Sequence, residues 1–507
     1  MNILMVAAEC APFAKSGGLG DVVGALPQHL AKNGKNRVII IMPLYSMIDR
    51  TKYNIRPEIG HLGVSLGVET LGCAVYRSEI PGNVPVYFLG HNQFFDRPGM
   101  YHDNAYNDYP DNPVRFAFLS SAALSLCRAL DFHPDIIHSH DWHTALLPAF
   151  ARRFYTEDHS ISEAATILTI HNIAYQGRYD KNFYFSTGLG WQDFTQDKFE
   201  HYGDVNFLKG GIHFADIVNT VSKGYAAETR KAPGGYGLEY FLNQKGDDYV
   251  GILNGADYSQ WNPEIDKLIP ANYSAVDLSG KAVCKERLQE KMGLEKRSNV
   301  PVIGVVSRLV EQKGFQIIAE CIDDLLNEED VQFAILGSGE NSLESFYSGL
   351  PERFPAKAGV VIGYDNDLAH LIEAGSDFFL MPSIYEPCGL NQIYSLKYGT
   401  LPIVRATGGL DDTIDNYKPE TGEGTGFKFM DATCKSASDC IRLALDTYHN
   451  RKEHIAKLIS NAMSKHFSWD DSAAEYLDMY RRAIKKNSEN PAEITEAGTL
   501  NDSALTI

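Results

Sequence analysis

The hydrophobic positions of the chain gather in short runs that are apolar on both faces. One series of runs occupies residues 3–8, 37–43, 135–138, 166–171 and 216–221, and a second occupies 302–307, 332–336, 360–363, 378–381 and 402–405. Runs such as RVIIIMP and VIGVVS are rich in β-branched residues and show no polar alternation, as strands buried on both sides of a parallel sheet require. Each run is followed by turn residues and then by apolar residues at helical spacing, which predicts repeated strand–helix units. Two series of units predict an α/β chain built of two doubly wound, Rossmann-like domains. A turn-rich stretch at 246–262 marks the boundary, giving an N-terminal domain over 1–250 and a C-terminal domain over 251–466. The charged stretch 281–296 keeps helical apolar spacing and reads as a solvated helix entering the second domain. Past Lys485 the periodicity fades, so 487–507 is expected to be a mobile tail.

Composition narrows the function classes. The chain has 507 residues, 44% hydrophobic and 22% charged, enough to bury full cores. Its formal net charge of −19 repels phosphate backbones and argues against nucleic acid as the main partner, although a local group of cations can still hold a nucleotide. The 8 cysteines are scattered without a CxxC pair, which argues against a zinc ribbon or a thioredoxin-type site and fits a reducing, cytoplasmic setting. The opening MNILMVAAE lacks a basic region and reads as a first core strand, not a signal peptide. No apolar stretch is long enough to span a bilayer, so no membrane role is expected.

Four clusters carry candidate chemistry. The loop Lys15-Ser-Gly-Gly-Leu-Gly-Asp21 follows the first strand and leads into a helical pattern from Val22. Its glycines would let backbone N–H groups approach an anion at a helix N-terminus; a plain tight turn is the alternative. It is neither a Walker loop nor a GxGxxG fingerprint, which disfavours a Rossmann dehydrogenase. The second cluster, His138-Ser-His-Asp-Trp-His143, ends another strand. It could hold a metal or form a hydrogen-bonded network, and the lack of a further ligand group favours the network. Asp141, and His171 after the next strand, lie where open α/β sheets place ligands. The third cluster sets Arg308 and Lys313 in one strand–helix loop, a fork and a point charge suited to a pyrophosphate, unless both are solvated surface cations. In the fourth, Glu386 follows a buried strand within PSIYEPCGLNQ, and ATGGLDDT from Ala406 supplies a second glycine-rich loop with further backbone donors. Glu386 alone could equally be a cap or a buried structural acid.

Together and in this order the clusters resemble the bacterial glycogen synthases and plant starch synthases, glycosyltransferase family 5. The resemblance rests on KSGGLGDVVGALP at 15–27, HSHDWHTAL at 138–146, TIHNIAYQG at 169–177, NGADYSQWNP at 254–263 and SRLVEQKG at 307–314. It continues through EPCGLNQIYSLKYGTLPIVRATGGLDDT at 386–413 and FSWDDSAAEYLDMY at 467–480, and so covers almost the whole chain. It implies a GT-B fold, two Rossmann-like domains facing across a deep cleft, with the donor mainly on the second and a helix over 467–486 crossing back to the first. It also implies roles. Lys15, Gly17 and Gly18 would approach the donor phosphates, Asp21 and Asn254 would hold the nucleotide, and Tyr364 would stack near the base. Cys388, Gly389, Leu390, Thr407, Gly408 and Gly409 would complete the nucleotide-sugar site. Arg308 and Lys313 would neutralise the diphosphate, while Asp141, His171 and Glu386 would surround the glucose. Gly20 and Asn391 stand where many bacterial members carry Ala and Thr, neither in a charged role. The implied reaction is transfer of glucose from ADP-glucose to the non-reducing end of an α-1,4-glucan with retention, and the cations make neither a metal nor another cofactor necessary. A UDP-glucose-preferring synthase, a synthase with another acceptor, and a non-catalytic glucan-binding protein on the same fold are the alternatives.

Overall fold

The structure is a computed structural model that describes residues 1–104 and 107–489. Eighteen strands occur in chain order among them. The first seven are β1 (Asn2–Val6), β2 (Arg37–Pro43), β3 (Arg56–Leu66), β4 (Glu69–Ile80), β5 (Val84–Gly90), β6 (Ile136–His140) and β7 (Ala165–Ile170). Next come β8 (Arg178–Tyr179), β9 (Glu200–His201), β10 (Asp204–Asn206), β11 (Ile217–Thr220) and β12 (Tyr249–Gly251). The last six are β13 (Val302–Leu309), β14 (Gln332–Gly339), β15 (Ala358–Ile362), β16 (Phe378–Met381), β17 (Leu401–Arg405) and β18 (Phe427–Phe429). The chain divides into two compact units, one of residues 1–219, 240–249 and the chain from 474 onward, the other of 220–239 and 250–473.

The first unit is organised by a nine-stranded sheet in the order β12-β11-β7-β6-β1-β2-β5-β4-β3. The central strand β1 pairs parallel with β2 on one side and β6 on the other, with Met5 opposite Ile40 and His138. The apolar runs make these strands because each residue is covered on both faces; Ile3, Leu4, Met5 and Val6 are fully buried. The antiparallel strands β3 and β4 extend the edge and were not marked by both-face runs. They alternate instead: Leu62, Val64 and Leu66 are buried while His61, Gly63 and Ser65 face out. The final helix, Trp469–Glu489, supplies Tyr476 and Tyr480 to this unit, both fully buried. Asn219 Nδ2 donates to Tyr476 Oη over 3.2 Å, and Tyr480 Oη lies 2.8 Å from His138 Nδ1. Residues 487–489 of the expected tail are therefore helical, and the rest of it lies outside the described residues.

The second unit holds a six-stranded parallel sheet in the order β15-β14-β13-β16-β17-β18. Here β13 is the strand from which the chain first winds one way, to β14 and β15, and then the other way, to β16, β17 and β18. Val302, Ile303, Phe378, Phe379 and Ile403 fill its core. The stretch expected as a solvated helix forms one over Ser279–Lys291, with Cys284 and Leu288 buried against the sheet's covering helices. No helix among the described residues is long and apolar enough to cross a membrane.

Candidate active site

In a doubly wound sheet the crevice opens at the carboxyl edge where winding reverses, because neighbouring loops there leave in opposite directions. In the first unit that point lies between β1 and β6, and in the second between β13 and β16. The predicted site residues fall largely at these two points.

After β1 the chain is tied down by Glu9. Its Oε2 accepts from the Ser16 and Gly17 amides at 2.6 and 3.4 Å, and its Oε1 accepts from the Ser16 and Tyr101 hydroxyls at 2.7 and 2.6 Å. These bonds shape the loop that carries Lys15, whose Nζ sits 2.7 Å from Asp21 Oδ1. The helix Gly18–Ala31 starts here, four residues earlier than its apolar pattern suggested, with no side chain capping it. A Cβ placed on Gly17 or Gly18 would meet no atom within 4 Å, so protein packing does not require glycine at either position.

After β6 comes Asp141, a non-glycine residue at φ 54°. Such a conformation costs energy and persists only where surrounding bonds fix it. Here Asp141 Oδ1 accepts from the amides of His171 and Asn172, at 2.7 and 3.4 Å. Burial nevertheless pushes its carboxyl up to about 7. His171 Nε2 lies 3.0 Å from His140 Nδ1. Burial pushes His138, His143 and His171 down to about 3 and His140 well below the usual range, so the cluster is neutral at pH 7. Both ring nitrogens of His138 are engaged, one by Tyr480 and the other by Thr169 Oγ1 at 2.6 Å. His138 and His140 Nδ1 thus join a hydrogen-bonded network, while His140 Nε2 and His143 Nδ1 are buried without a partner; among the described residues no group of three or more His, Cys, Asp or Glu is disposed to hold a metal ion.

The second unit concentrates charge. Lys313 Nζ is 2.5 Å from Glu386 Oε2, and the Ser383 hydroxyl donates to the same oxygen over 3.0 Å. The side chains are 19% and 6% exposed. Arg405, at the end of β17, donates through Nε to Ser383 O at 2.7 Å and through Nη2 to Ile384 O, fixing the loop before Glu386. Arg308 is exposed at the end of β13, with Nη2 3.4 Å from Gln312 Oε1. Asn254 is buried; its backbone amide faces the Cys388 thiol, and its side-chain Oδ1 has no partner. Burial pushes the Cys388 thiol up to about 12. The second glycine loop packs tightly on the Glu386–Gly389 loop of the same unit: the Gly409 amide donates to Glu386 O over 3.0 Å, and a Cβ on Gly409 would stand 2.1 Å from Cys388 O. Glu228 accepts from the Gly408 amide at 2.8 Å and from the Thr407 hydroxyl at 3.0 Å. The Gly408 and Gly409 amides, expected as ligand donors, are therefore spent inside the unit.

Lys313, Glu386, Cys388, Gly389, Leu390, Thr407, Gly408, Gly409 and Asn254 thus gather around one loop pair, with Arg308 beside it. Tyr364 stands apart, 75% exposed at the end of β15, two strands from β13. Sequence reasoning missed Glu9, Tyr101 and Glu228. Glu9 left one signal, an acid ending an apolar strand; Glu228 left none, because its partners lie 180 residues away.

Two doubly wound units, each with polar loops at its reversal point, together with the family models they match, place the chain among glycosyltransferases of the GT-B class. Residues 286–464 match the family model described as glycosyl transferases group 1. A sucrose-phosphate synthase from Thermosynechococcus elongatus shares the fold at 16% identity, with a TM-score of 0.59 over 96% of this chain and 99% of that one. The particular family is given by closer relatives. Residues 2–244 match the starch synthase catalytic domain. Glycogen synthase 1 of Geobacter metallireducens is 48% identical over 96% of this chain and 97% of its own, and the glycogen synthase of Koribacter versatilis 44% over 97% and 100%. The catalytic domain of starch synthase IV from Arabidopsis thaliana, bound to ADP and acarbose, superposes with a TM-score of 0.87 at 34% identity, over 95% of this chain and 99% of that one. The chain belongs to the family of bacterial glycogen synthases and plant starch synthases.

Proposed function

We propose that this chain elongates glycogen, moving glucose from ADP-glucose to the 4-hydroxyl at the non-reducing end of an α-1,4-glucan with retention at the anomeric carbon. The relatives named glycogen synthase support the polymer, and the ADP and acarbose held by the Arabidopsis relative support a nucleotide-sugar donor and a glucan acceptor. The observation that carries the reading is the Lys313–Glu386 pair at the β13/β16 reversal point, with Arg308 exposed beside it.

In this reading Arg308 and Lys313 bind the diphosphate. As the bond from C1 to the β-phosphate oxygen breaks, negative charge grows on the diphosphate and positive charge on the sugar. Cations already in place stabilise the transition state more than the bound donor. Glu386 faces the oxocarbenium-like carbon. Lys313 and Ser383 both donate to its Oε2, so Oε1 is the oxygen assigned to the sugar. The acceptor hydroxyl adds to the face the diphosphate leaves, and its proton passes to the departing phosphate. Asp141 and His171 hold the glucose hydroxyls, the neutral imidazole adding no cation beside the oxocarbenium. Lys15, Asp21, Asn254 and Tyr364 hold the nucleotide, and the open space at Gly17 and Gly18 receives phosphate oxygens. Cys388, Gly389 and Leu390 add backbone donors, while Thr407, Gly408 and Gly409 support that loop from behind. We place the reaction in the cytoplasm, a reading supported by eight cysteines that are all free thiols.

The test is incorporation of radiolabel from ADP-glucose and from UDP-glucose into glycogen, with the product digested by an α-1,4-specific hydrolase. Faster incorporation from ADP-glucose is expected. Equal or faster incorporation from UDP-glucose would overturn the donor assignment, and glycogen binding without incorporation from either donor would favour a non-catalytic glucan-binding protein.

A further inference from the structure

Gln392 lies in the first turn of the helix Asn391–Lys397, with its side chain fully buried. Its Nε2 donates to the carbonyls of Cys388 and Gly389, each at 3.0 Å, and lies 3.3 Å from Thr413 Oγ1. Its Oε1 has no partner. The carboxamide acts here as a donor alone, and the opposite orientation would set oxygen against two carbonyl oxygens. The first backbone bond at this helix start runs from the Tyr394 amide to Leu390 O, so the two carbonyls ahead of it depend on Gln392. Gly389 permits the arrangement: its φ is +73°, and a Cβ there would stand 2.4 Å from Gln392 Oε1.

A trans peptide unit is planar, with its C=O and N–H pointing in opposite directions. A hydrogen bond that fixes the Cys388 carbonyl therefore also aims the Gly389 amide, and one that fixes the Gly389 carbonyl aims the Leu390 amide. Both amides point away from Gln392. We infer that Gln392 is a positioning residue that, by drawing the Cys388 and Gly389 carbonyls inward, aims the Gly389 and Leu390 amides at the diphosphate of the donor. This rests on the proposed function, which places those amides at the nucleotide sugar. Gln392 touches no substrate itself.

Replacement by glutamate keeps the shape and exchanges the two-hydrogen donor for an oxygen. When ionised it faces two carbonyls with no hydrogen to offer; when protonated it regains one. Burial favours the neutral form of such a group, so the exchange falls within the working pH range. The experiment compares the full-length wild type, Gln392→Glu and Gln392→Met from about pH 8.5 down to about pH 6. Donor and glucan are varied separately, ADP binding is followed by calorimetry, and folding by circular dichroism. Both variants should lose about 10²-fold in kcat/KM for the nucleotide sugar, bind ADP more weakly, and keep the wild-type KM for glucan. Gln392→Glu should recover toward wild type as the pH falls while Gln392→Met does not. Wild-type donor kinetics and ADP affinity in Gln392→Met would overturn the inference, as would equal losses toward donor and glucan. If Gln392→Glu fails to fold, the donor–glucan split in Gln392→Met decides. Absence of transfer by the wild type would instead refute the proposed function, and the ADP calorimetry would still decide whether Gln392 aims the amides.

Discussion

At the scale of single residues, Arg308 and Lys313 look alike in sequence and differ in the fold. Lys313 is mostly buried against Glu386, whereas Arg308 is exposed and forms no ion pair among the described residues. Removing one partner of a buried pair strands the other charge, at a cost of about 3–5 kcal/mol, while an exposed substitution usually shifts stability by less than about 0.5 kcal/mol. Arg308→Ala should therefore melt like the wild type yet lose about 10²–10³ in turnover. Lys313→Ala should lose both stability and turnover, and glucan binding should survive in each. Thermal unfolding beside steady-state kinetics separates the two, and normal turnover in Arg308→Ala would remove it from the diphosphate. Asp141 gives a pH signature. Its carboxyl titrates near 7 when folded against an ordinary value of 3.8, so the folded chain holds that proton more tightly. The stability it contributes is complete below about pH 3.8 and is lost as the pH rises to 7. Asp141→Asn, which keeps the size and shape of the side chain, should match the wild type in Tm near pH 5 more closely than near pH 8, where it should be the more stable and a poorer catalyst. Parallel Tm curves would refute this. The neutral histidines act in the other sense, removing stability as the pH falls below their ordinary 6.5 toward 3.

At the scale of elements, two glycine loops that read alike have different reasons for their glycines. Around Gly17 there is room for a Cβ, whereas at Gly409 the Cys388 carbonyl occupies that place. Gly17→Ala should fold normally and raise the donor KM about tenfold or more, since only a ligand would meet the methyl group; Gly409→Ala should lose about 1–3 kcal/mol of stability through overpacking. Denaturant titration and donor kinetics on both variants check this, and an unstable Gly17→Ala would mean that the loop needs glycine for itself. The same loops show what the sequence could reveal. Strands buried on both faces are continuous apolar runs, so β1, β6, β13 and β16 are legible directly, and the candidate residues in the loops after them, such as Asp141 and Glu386, are legible with them. Strands β3 and β4 bury one face only, and a search for unbroken runs passes over them. The supports of the site escape for another reason. Glu9 meets Tyr101 across 92 positions and Glu228 meets Gly408 across 180, and no local pattern records a partner that distant. Gln392 lies inside the EPCGLNQ motif, yet its task depends on which way two carbonyls turn, which only the folded backbone determines.

At the scale of the whole molecule, the first unit is assembled from both ends of the chain. Tyr476 and Tyr480 are fully buried in it, and Tyr480 Oη is the partner of His138 Nδ1. A chain ended after Ser468 should leave a wide apolar surface open and lose protection of β6 and β7 in hydrogen exchange, whereas Tyr480→Phe, which strands the buried His138 Nδ1, should cost about 1–3 kcal/mol and leave that protection in place. Full protection of those strands in the shortened chain would show that the last helix is an accessory. The same dependence sets an order in time during synthesis. Residues up to 219, which make up most of the first unit, leave the ribosome well before Tyr480 is translated. At elongation rates of about 5–20 residues per second the interval is on the order of ten to fifty seconds. Throughout it the nascent sheet lacks its covering tyrosines, so the apolar surface they bury stays open until the last helix has been made.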